Sequence, residues 1–250
     1  MGKINILGVK LDNLKKAEAR RTVENYLSAA GQHQVVTPNA EIILAAGRDQ
    51  EFLNILNQAD LAVADGVALK IAGWLKGRNI KRIAGADLLK EILELAQSQG
   101  RRVAVFNWQG GLSSAEDIRR ALAGKYPNLR ALAVDIDRQV ISEDKLNQAK
   151  EFKPEIIFLT LGAPWQEKFI FHNLSNLPSV KIGLGVGGAF DFLTGKIKRA
   201  PKILRTVGLE WLWRLIKQPR RWKRIYNAVM VFPVKFLVYY FKNIIRNNEL

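Results

Sequence analysis

Two carboxylates one residue apart, Asp135-Ile136-Asp137, follow the apolar run Leu129–Val134. Alternate strand positions face one way, so the pair has the geometry to hold a divalent metal against a diphosphate. The same pattern is common at solvated strand ends, and that reading is preferred here. Gly183-Leu-Gly185-Val-Gly187-Gly188 fits G-x-G-x-x-G. A dinucleotide site would need a helix opening next, and Ala-Phe-Asp-Phe-Leu-Thr-Gly does not supply a clear one. What survives is a backbone at Gly187 and Gly188 that lets a ligand approach closely. Gly188 and Gly195-Lys196 lack P-loop spacing, which argues against nucleoside-triphosphate hydrolysis. Asp65 follows the apolar run Leu61–Ala64 and precedes Gly66, so it stands at a strand end with open space beside it. Its bland alternative is a cap on the next helix, worth ~1 kcal/mol.

The elements that must position these residues are legible as an alternation. Strand-like runs fall at Lys3–Val9, Gln34–Val36, Leu61–Ala64, Arg102–Phe106, Leu129–Val134, Glu155–Leu161 and Val180–Gly185. Between them the spacing predicts helices over Leu14–Ala30, Ala40–Gln58, Val67–Leu75, Asp87–Gln99, Leu112–Lys125, Ser142–Phe152 and Pro164–Leu174. Ser113-x-x-Glu116 reads as a capping box. The pattern predicts an α/β fold with a mostly parallel, Rossmann-like sheet and helices on both faces. Ligands of such sheets bind beyond the carboxyl ends of the strands. The residues found there are Thr37-Pro38-Asn39, Asp65-Gly66, Asn107-Trp108-Gln109-Gly110-Gly111, Gly162-Ala163-Pro164-Trp165-Gln166-Glu167 and Gly187-Gly188.

Composition narrows the chemistry further. The 250 residues include no cysteine, which excludes disulfide scaffolds, thiolate zinc sites and a cysteine nucleophile. Two histidines, His33 and His172, are too few for a histidine-rich metal centre and read as structural. The N-terminus does not read as a secretory signal, and Ile6 stands where a myristoylation motif needs Ser or Thr. Residues 196–250 hold 14 Lys and Arg against 2 Asp and Glu, a net +12 out of +16 for the chain. They also hold Trp211, Trp213 and Trp222, so a boundary is placed near Lys196: a core over 1–195 and a helical appendage over 196–250. Such a segment suits an anionic membrane surface better than nucleic acid, because Ile225–Val234 is a long uncharged, mostly apolar run, unlike an element that reads base edges. The run is too short and broken to span a bilayer. It reads as a helix in the interface, or as a terminal helix packed on the core. Arg214, Arg221 and Arg224, at spacings of 7 and 3, would share one side of a continuous helix.

Several segments, in order, resemble the WecG/TagA/CpsF glycosyltransferase family. They are Thr37-Pro38-Asn39-Ala40-Glu41, Ala64-Asp65-Gly66, Arg82-x-x-Gly85-x-Asp87-Leu88, Leu161-Gly162-Ala163-Pro164-Trp165-Gln166-Glu167 and Gly185-Val-Gly187-Gly188-Ala-Phe190-Asp191. Arg199-Ala200-Pro201 and Gly208-Leu209-Glu210-Trp211-Leu-Trp213-Arg214-Leu215 follow. Asn107-Trp108-Gln109 and Asp135-Ile136-Asp137-Arg138 depart from the family's pattern, and both are expected on the donor side.

The resemblance implies an inverting, metal-independent enzyme without cofactor. It would move N-acetylmannosamine from UDP-N-acetylmannosamine to the 4-hydroxyl of N-acetylglucosamine on undecaprenyl diphosphate, for teichoic acid linkage units. Alternatives are the corresponding uronic acid donor, or a membrane-docked nucleotide-sugar or lipid-binding protein without turnover. The resemblance further implies a membrane-associated protein, which with the basic tail gives a peripheral location on the inner face of a bacterial membrane. Off the membrane, the apolar run at Ile225–Val234 would pack on the core or on another subunit, giving homo-oligomers. In that chemistry Asp65 would be the base and Thr37 its catalytic neighbour. Asn39, Gln166 and Glu167 would bind sugar or uracil, and Gly110, Gly187 and Gly188 would admit the ligand. Arg82, Arg214, Arg221 and Arg224 would meet phosphate oxygens. Each has a local alternative: Asn39 as a helix cap, Glu167 as a first-turn acid, Arg82 as a surface cation.

Overall fold

The structure, a computed structural model, describes residues 2–139 and 142–248. A short antiparallel hairpin, β1 (Ile4–Ile6) and β2 (Val9–Leu11), opens the chain, followed by α1 (Lys16–Ser28) and β3 (His33–Val36). Two helices, α2 (Ala40–Ala46) and α3 (Gln50–Gln58), lead to β4 (Leu61–Ala62), α4 (Val67–Leu75) and α5 (Gly85–Ser98). Next come β5 (Arg102–Trp108), α6 (Ala115–Lys125), β6 (Arg130–Ile136), α7 (Glu143–Phe152) and β7 (Ile156–Leu159). Then follow α8 (Trp165–Asn173), β8 (Ile182–Gly185) and α9 (Phe190–Leu193). The C-terminal segment adds α10 (Lys202–Thr206), α11 (Glu210–Lys217), α12 (Trp222–Tyr226), a π turn over Asn227–Val231 and α13 (Phe232–Asn248).

Six strands form one parallel sheet in the order β4-β3-β8-β7-β5-β6. Every residue of β7 and β8 is buried, as a strand covered on both faces requires. The pleat sorts the core into two layers. Val103 and Val105 join Leu88, Ile92 and Ile118 on the α1–α5–α6 side. Ala104 and Phe106 join Ile157, Phe169 and Ile170 on the α7–α8 side. The sheet is therefore parallel throughout with helices on both faces, as expected.

Three local expectations change. Lys3–Val9 is not one strand. Leu7 and Gly8 turn with positive φ, and the hairpin packs Ile6, Val9 and Leu11 beside α2 and α4, outside the sheet. Ala40–Gln58 divides at Gly47-Arg48-Asp49, because the Asp49 carboxylate accepts the Phe52 N–H and caps a new helix. The capping box sits one residue later, with Ser114 and Asp117. Ser113 instead donates to Asp191 (2.8 Å).

The tail packs partly on the core. Phe232 and Phe236 are buried among Ile43, Ala72 and Ile80, whereas Met230, Val234, Val238, Phe241 and Ile245 are exposed. No helix among the described residues is long and apolar enough to cross a membrane.

At the carboxyl end of the sheet, Gln166 holds two loops together. Its Oε1 accepts the N–H of Gly162 after β7 (3.1 Å) and of Gly187 after β8 (3.0 Å). Its Nε2 donates to Glu167 Oε1 (2.8 Å). Glu167 is 1% exposed, and its other carboxyl oxygen has no hydrogen-bond partner. Burial pushes this carboxyl up to about 7.

Between the ordinary glutamate value and about 7, the folded state holds a proton that the unfolded chain has shed. Glu167 therefore costs the fold more as pH rises through that window, and the cost is complete above it. Glu167→Gln keeps the acceptor for Gln166 and removes the titration. Urea unfolding should show the variant gaining on wild type between about pH 5 and about pH 8, reaching ~3 kcal/mol at the upper end. A difference that does not change with pH would contradict this.

Candidate active site

Asp65 leaves β4 at its carboxyl end, held by its own N–H on Pro38 O (2.8 Å). Gly66 turns the chain into α4 with φ +103°, a conformation that favours glycine. The Asp65 side chain does not cap α4, which has no side-chain cap. It accepts instead from the Gly85 N–H at the start of α5 (3.0 Å). Glycine at 85 leaves room for that approach: a Cβ there would come 3.1 Å from Thr37 Oγ1, a tight contact, and 3.5 Å from Asp65 Oδ2. The three residues thus meet from β3, β4 and α5. Desolvation raises the Asp65 carboxyl above the ordinary range. The Gly85 N–H, Arg82 and Arg214 pull it back, and Glu210 adds to the rise.

Asp65 opens into a cleft of about 1160 Å³ along the carboxyl ends of the strands, roofed by the C-terminal segment. Thr37, Asn39, Arg82, Gly110, Gln166, Gly187, Gly188, Arg214, Arg221 and Arg224 line it as well. Glu167 does not line it; its buried carboxyl lies behind Gln166. Asn39 uses Oδ1 to cap α2 through the Ile42 N–H (3.0 Å), so its local alternative is realised inside the cleft wall. Arg82 is not an open fork. It donates to Arg205 O (2.9 Å) and Glu210 Oε2 (3.0 Å), tying the tail to the core beside Asp65.

The three tail arginines converge, but not on one helix. Gln218-Pro219 ends α11, since proline disfavours helical geometry in the residue before it, and Arg221 closes a 3₁₀ turn ahead of α12. Arg214 lies over the Phe192 ring (5.0 Å), and its Nε is buried without a partner. Arg221 is lowered to about 10 by burial and by Arg214 and Arg224. Arg224 grips Glu41 with two bonds (2.9 and 3.1 Å). Like charges held this close favour an anion between them.

At the β5–β6 edge of the sheet, far from β4, Arg138 lies over Trp108 (3.4 Å to the ring centre) and donates to Leu161 O (2.7 Å). Both line the cleft. Below them Asn107, 3% exposed, accepts from Thr160 Oγ1 (2.8 Å) and donates to Asp135 (2.7 Å). Asp135 also accepts the Ala115 N–H (2.9 Å) and so serves α6; it is not a solvated turn residue. Asp137 accepts from Gln109 (3.1 Å). Among the described residues no group of three or more His, Asp or Glu is arranged to hold a metal. His33 pairs with Asp60 (3.1 Å) and His172 with Glu51 (2.8 Å), both outside the cleft.

Sequence reasoning gave no individual role to Arg138, Trp108 or Glu210. The first two follow β6 and end β5, in segments the sequence placed on the donor side without singling out either residue. Glu210 carried no signal without its partner Arg82.

The chain matches the glycosyl transferase WecG/TagA/CpsF family over residues 4–246. A Bacillus subtilis protein named N-acetylglucosaminyldiphosphoundecaprenol N-acetyl-beta-D-mannosaminyltransferase is 33% identical over 195 residues, 76% of this chain and 74% of that one. A Staphylococcus aureus protein of the same name is 30% identical over 230 residues, 89% of this chain and 87% of that one. A parallel α/β sheet, an acid at the end of β4 and an arginine-lined cleft thus occur in a chain that belongs to the WecG/TagA/CpsF family of glycosyltransferases.

Proposed function

We propose that the protein transfers N-acetylmannosamine from UDP-N-acetylmannosamine to the 4-hydroxyl of N-acetylglucosamine on undecaprenyl diphosphate. This is the first committed step of a teichoic acid linkage unit. The observation that carries this reading is Asp65, a desolvated carboxylate facing a cleft rich in arginine, in a chain whose relatives are named for N-acetylmannosaminyl transfer to N-acetylglucosaminyldiphosphoundecaprenol. Asp65 takes the proton of the acceptor hydroxyl as that oxygen attacks the anomeric carbon of the donor. The bond from that carbon to the UDP oxygen breaks, and its electron pair leaves with the diphosphate. Arg214 and Arg221 offset the charge that develops there. Thr37, beside Gly85 in the same cleft wall as Asp65, positions the acceptor sugar.

From β4 to β6 the cleft crosses five strand gaps, roughly 24 Å. That length takes a nucleotide sugar with its base at the Trp108–Arg138 end and its sugar near Asp65. Beside Asp65 the wall turns apolar through Ala68, Ile71, Leu75, Phe232 and Leu237, a surface suited to a prenyl chain. The exposed residues Met230, Val234, Val238, Phe241 and Ile245 recur at helical spacing on a strongly basic segment. Such a face suits docking on the inner leaflet of the cell membrane, and off the membrane it would favour self-association.

Asp65→Asn should lower transfer by ~10²–10⁴-fold and leave UDP affinity unchanged. A wild-type rate would move the base elsewhere. Because burial raises Asp65, turnover should fall as pH drops through a value above the ordinary carboxylate range. The variant's residual rate should lack that limb. Arg138→Gln should raise the donor KM about tenfold with kcat nearly unchanged, ~1.4 kcal/mol of binding. An unchanged KM would remove Arg138 from the donor site. Transfer should persist in EDTA, since Asp135 is engaged by Asn107 and α6 and arginines supply the charge. Loss in EDTA with recovery on manganese would reverse that assignment.

A further inference from the structure

Arg82 and Ala84 line a second pocket as well as the cleft. It measures about 260 Å³, and its other walls are Asp87, Arg199, Lys202, Arg205 and Thr206. Four cations and one carboxylate line it, and a second carboxylate, Glu210, pairs with Arg82 and Arg199 beside it. Arg199 donates through Nη1 to Asp87 (2.6 Å). Its other edge, Nε and Nη2, is buried without a hydrogen-bond partner; Glu210 Oε1, 3.9 Å from Nε, pairs with it as an ion but makes no hydrogen bond. Those two N–H groups form one parallel fork, the geometry that takes two oxygens of a single oxyanion. Arg82 Nε is likewise buried and unpaired. Native proteins leave few buried donors unsatisfied, and here three occur on two adjoining arginines.

We propose that this pocket binds a phosphate group, separately from the arginines assigned to the donor diphosphate. Arg199 takes two oxygens along its unpaired edge, and Lys202 and Arg205 neutralise the rest. The volume admits a tetrahedral anion with its first substituent and is too small for a nucleotide sugar. A phospholipid headgroup and free inorganic phosphate share this chemistry. They differ in what lies beside it: α10 exposes Ile203 (77%), and Val207 (60%) stands just after it, next to the pocket residues Lys202 and Thr206. Acyl chains would meet those side chains, and inorganic phosphate would gain nothing from them.

The test is a titration of the full ¹⁵N-labelled chain, read at the Nε–Hε signals of Arg199 and Arg205. One arm uses sodium phosphate, and the other a short-chain phosphatidylglycerol below its micelle concentration. Both probes should shift Arg199 saturably, and exposed Lys202→Glu should weaken both by about fivefold or more with amide signals away from α10 unchanged. Affinity about fivefold tighter for the phospholipid supports the site with a headgroup as its ligand; equal affinity supports it with free phosphate. The proposal is overturned if Arg199 does not saturate, if Lys202→Glu has no effect, or if only Arg214 and Arg221 respond.

Discussion

Arg82 reaches Glu210 at 3.0 Å with both side chains about four-fifths buried, and its second amine holds the Arg205 carbonyl. This pair joins two stretches that lie 128 residues apart in sequence. Removing either partner would leave a largely buried charge with one fewer partner and loosen the join between tail and core. The same pair brackets Asp65, since Arg82 stabilises its charge and Glu210 opposes it. One connection therefore bears on the position of the tail, the roof of the cleft and the acidity of Asp65 together.

A tail carrying +12 is held against the core by a few acids spread over several elements. Glu41 on α2 takes Arg224, Asp87 on α5 takes Arg199, and Asp117 on α6 takes Lys196. These pairs tie tail cations to the core around the cleft, while Arg214 and Arg221 are left in its wall with their charges crowding each other. Apolar contact does the remaining anchoring, through Phe232 and Phe236. The uncharged run at 225–234 thus serves the core along one face and presents the other to solvent.

Strand and helix positions were largely legible because burial on both faces of a parallel sheet leaves unbroken apolar runs such as Ile156–Leu159. The strand-end rule found Thr37 and Asp65, since the residues just after a buried strand must emerge at one edge. It was less informative where a side chain's partner comes from afar. Gln166 reads as a ligand-facing amide, yet it bonds loops after β7 and β8. Asp135 reads as a turn residue, yet it serves α6, 20 residues away. The division at Asp49 was carried by the local capping chemistry of Asx residues and was available without tertiary information.

By itself the sequence determined an alternating α/β chain, a basic aromatic tail, a set of polar residues at strand ends and membership in a glycosyltransferase family. These follow from local burial patterns and from motifs contiguous in the chain. Only the tertiary structure decided the strand order, which sets β8 between β3 and β7, and the meeting of Thr37, Asp65 and Gly85. It alone placed Arg138 on Trp108, converted Arg82 from a free fork into a tie, and brought Arg214, Arg221 and Arg224 together across a proline break. The reason is that such contacts are selected by packing energy between segments far apart in sequence, and no local periodicity encodes which distant partner a polar side chain will meet.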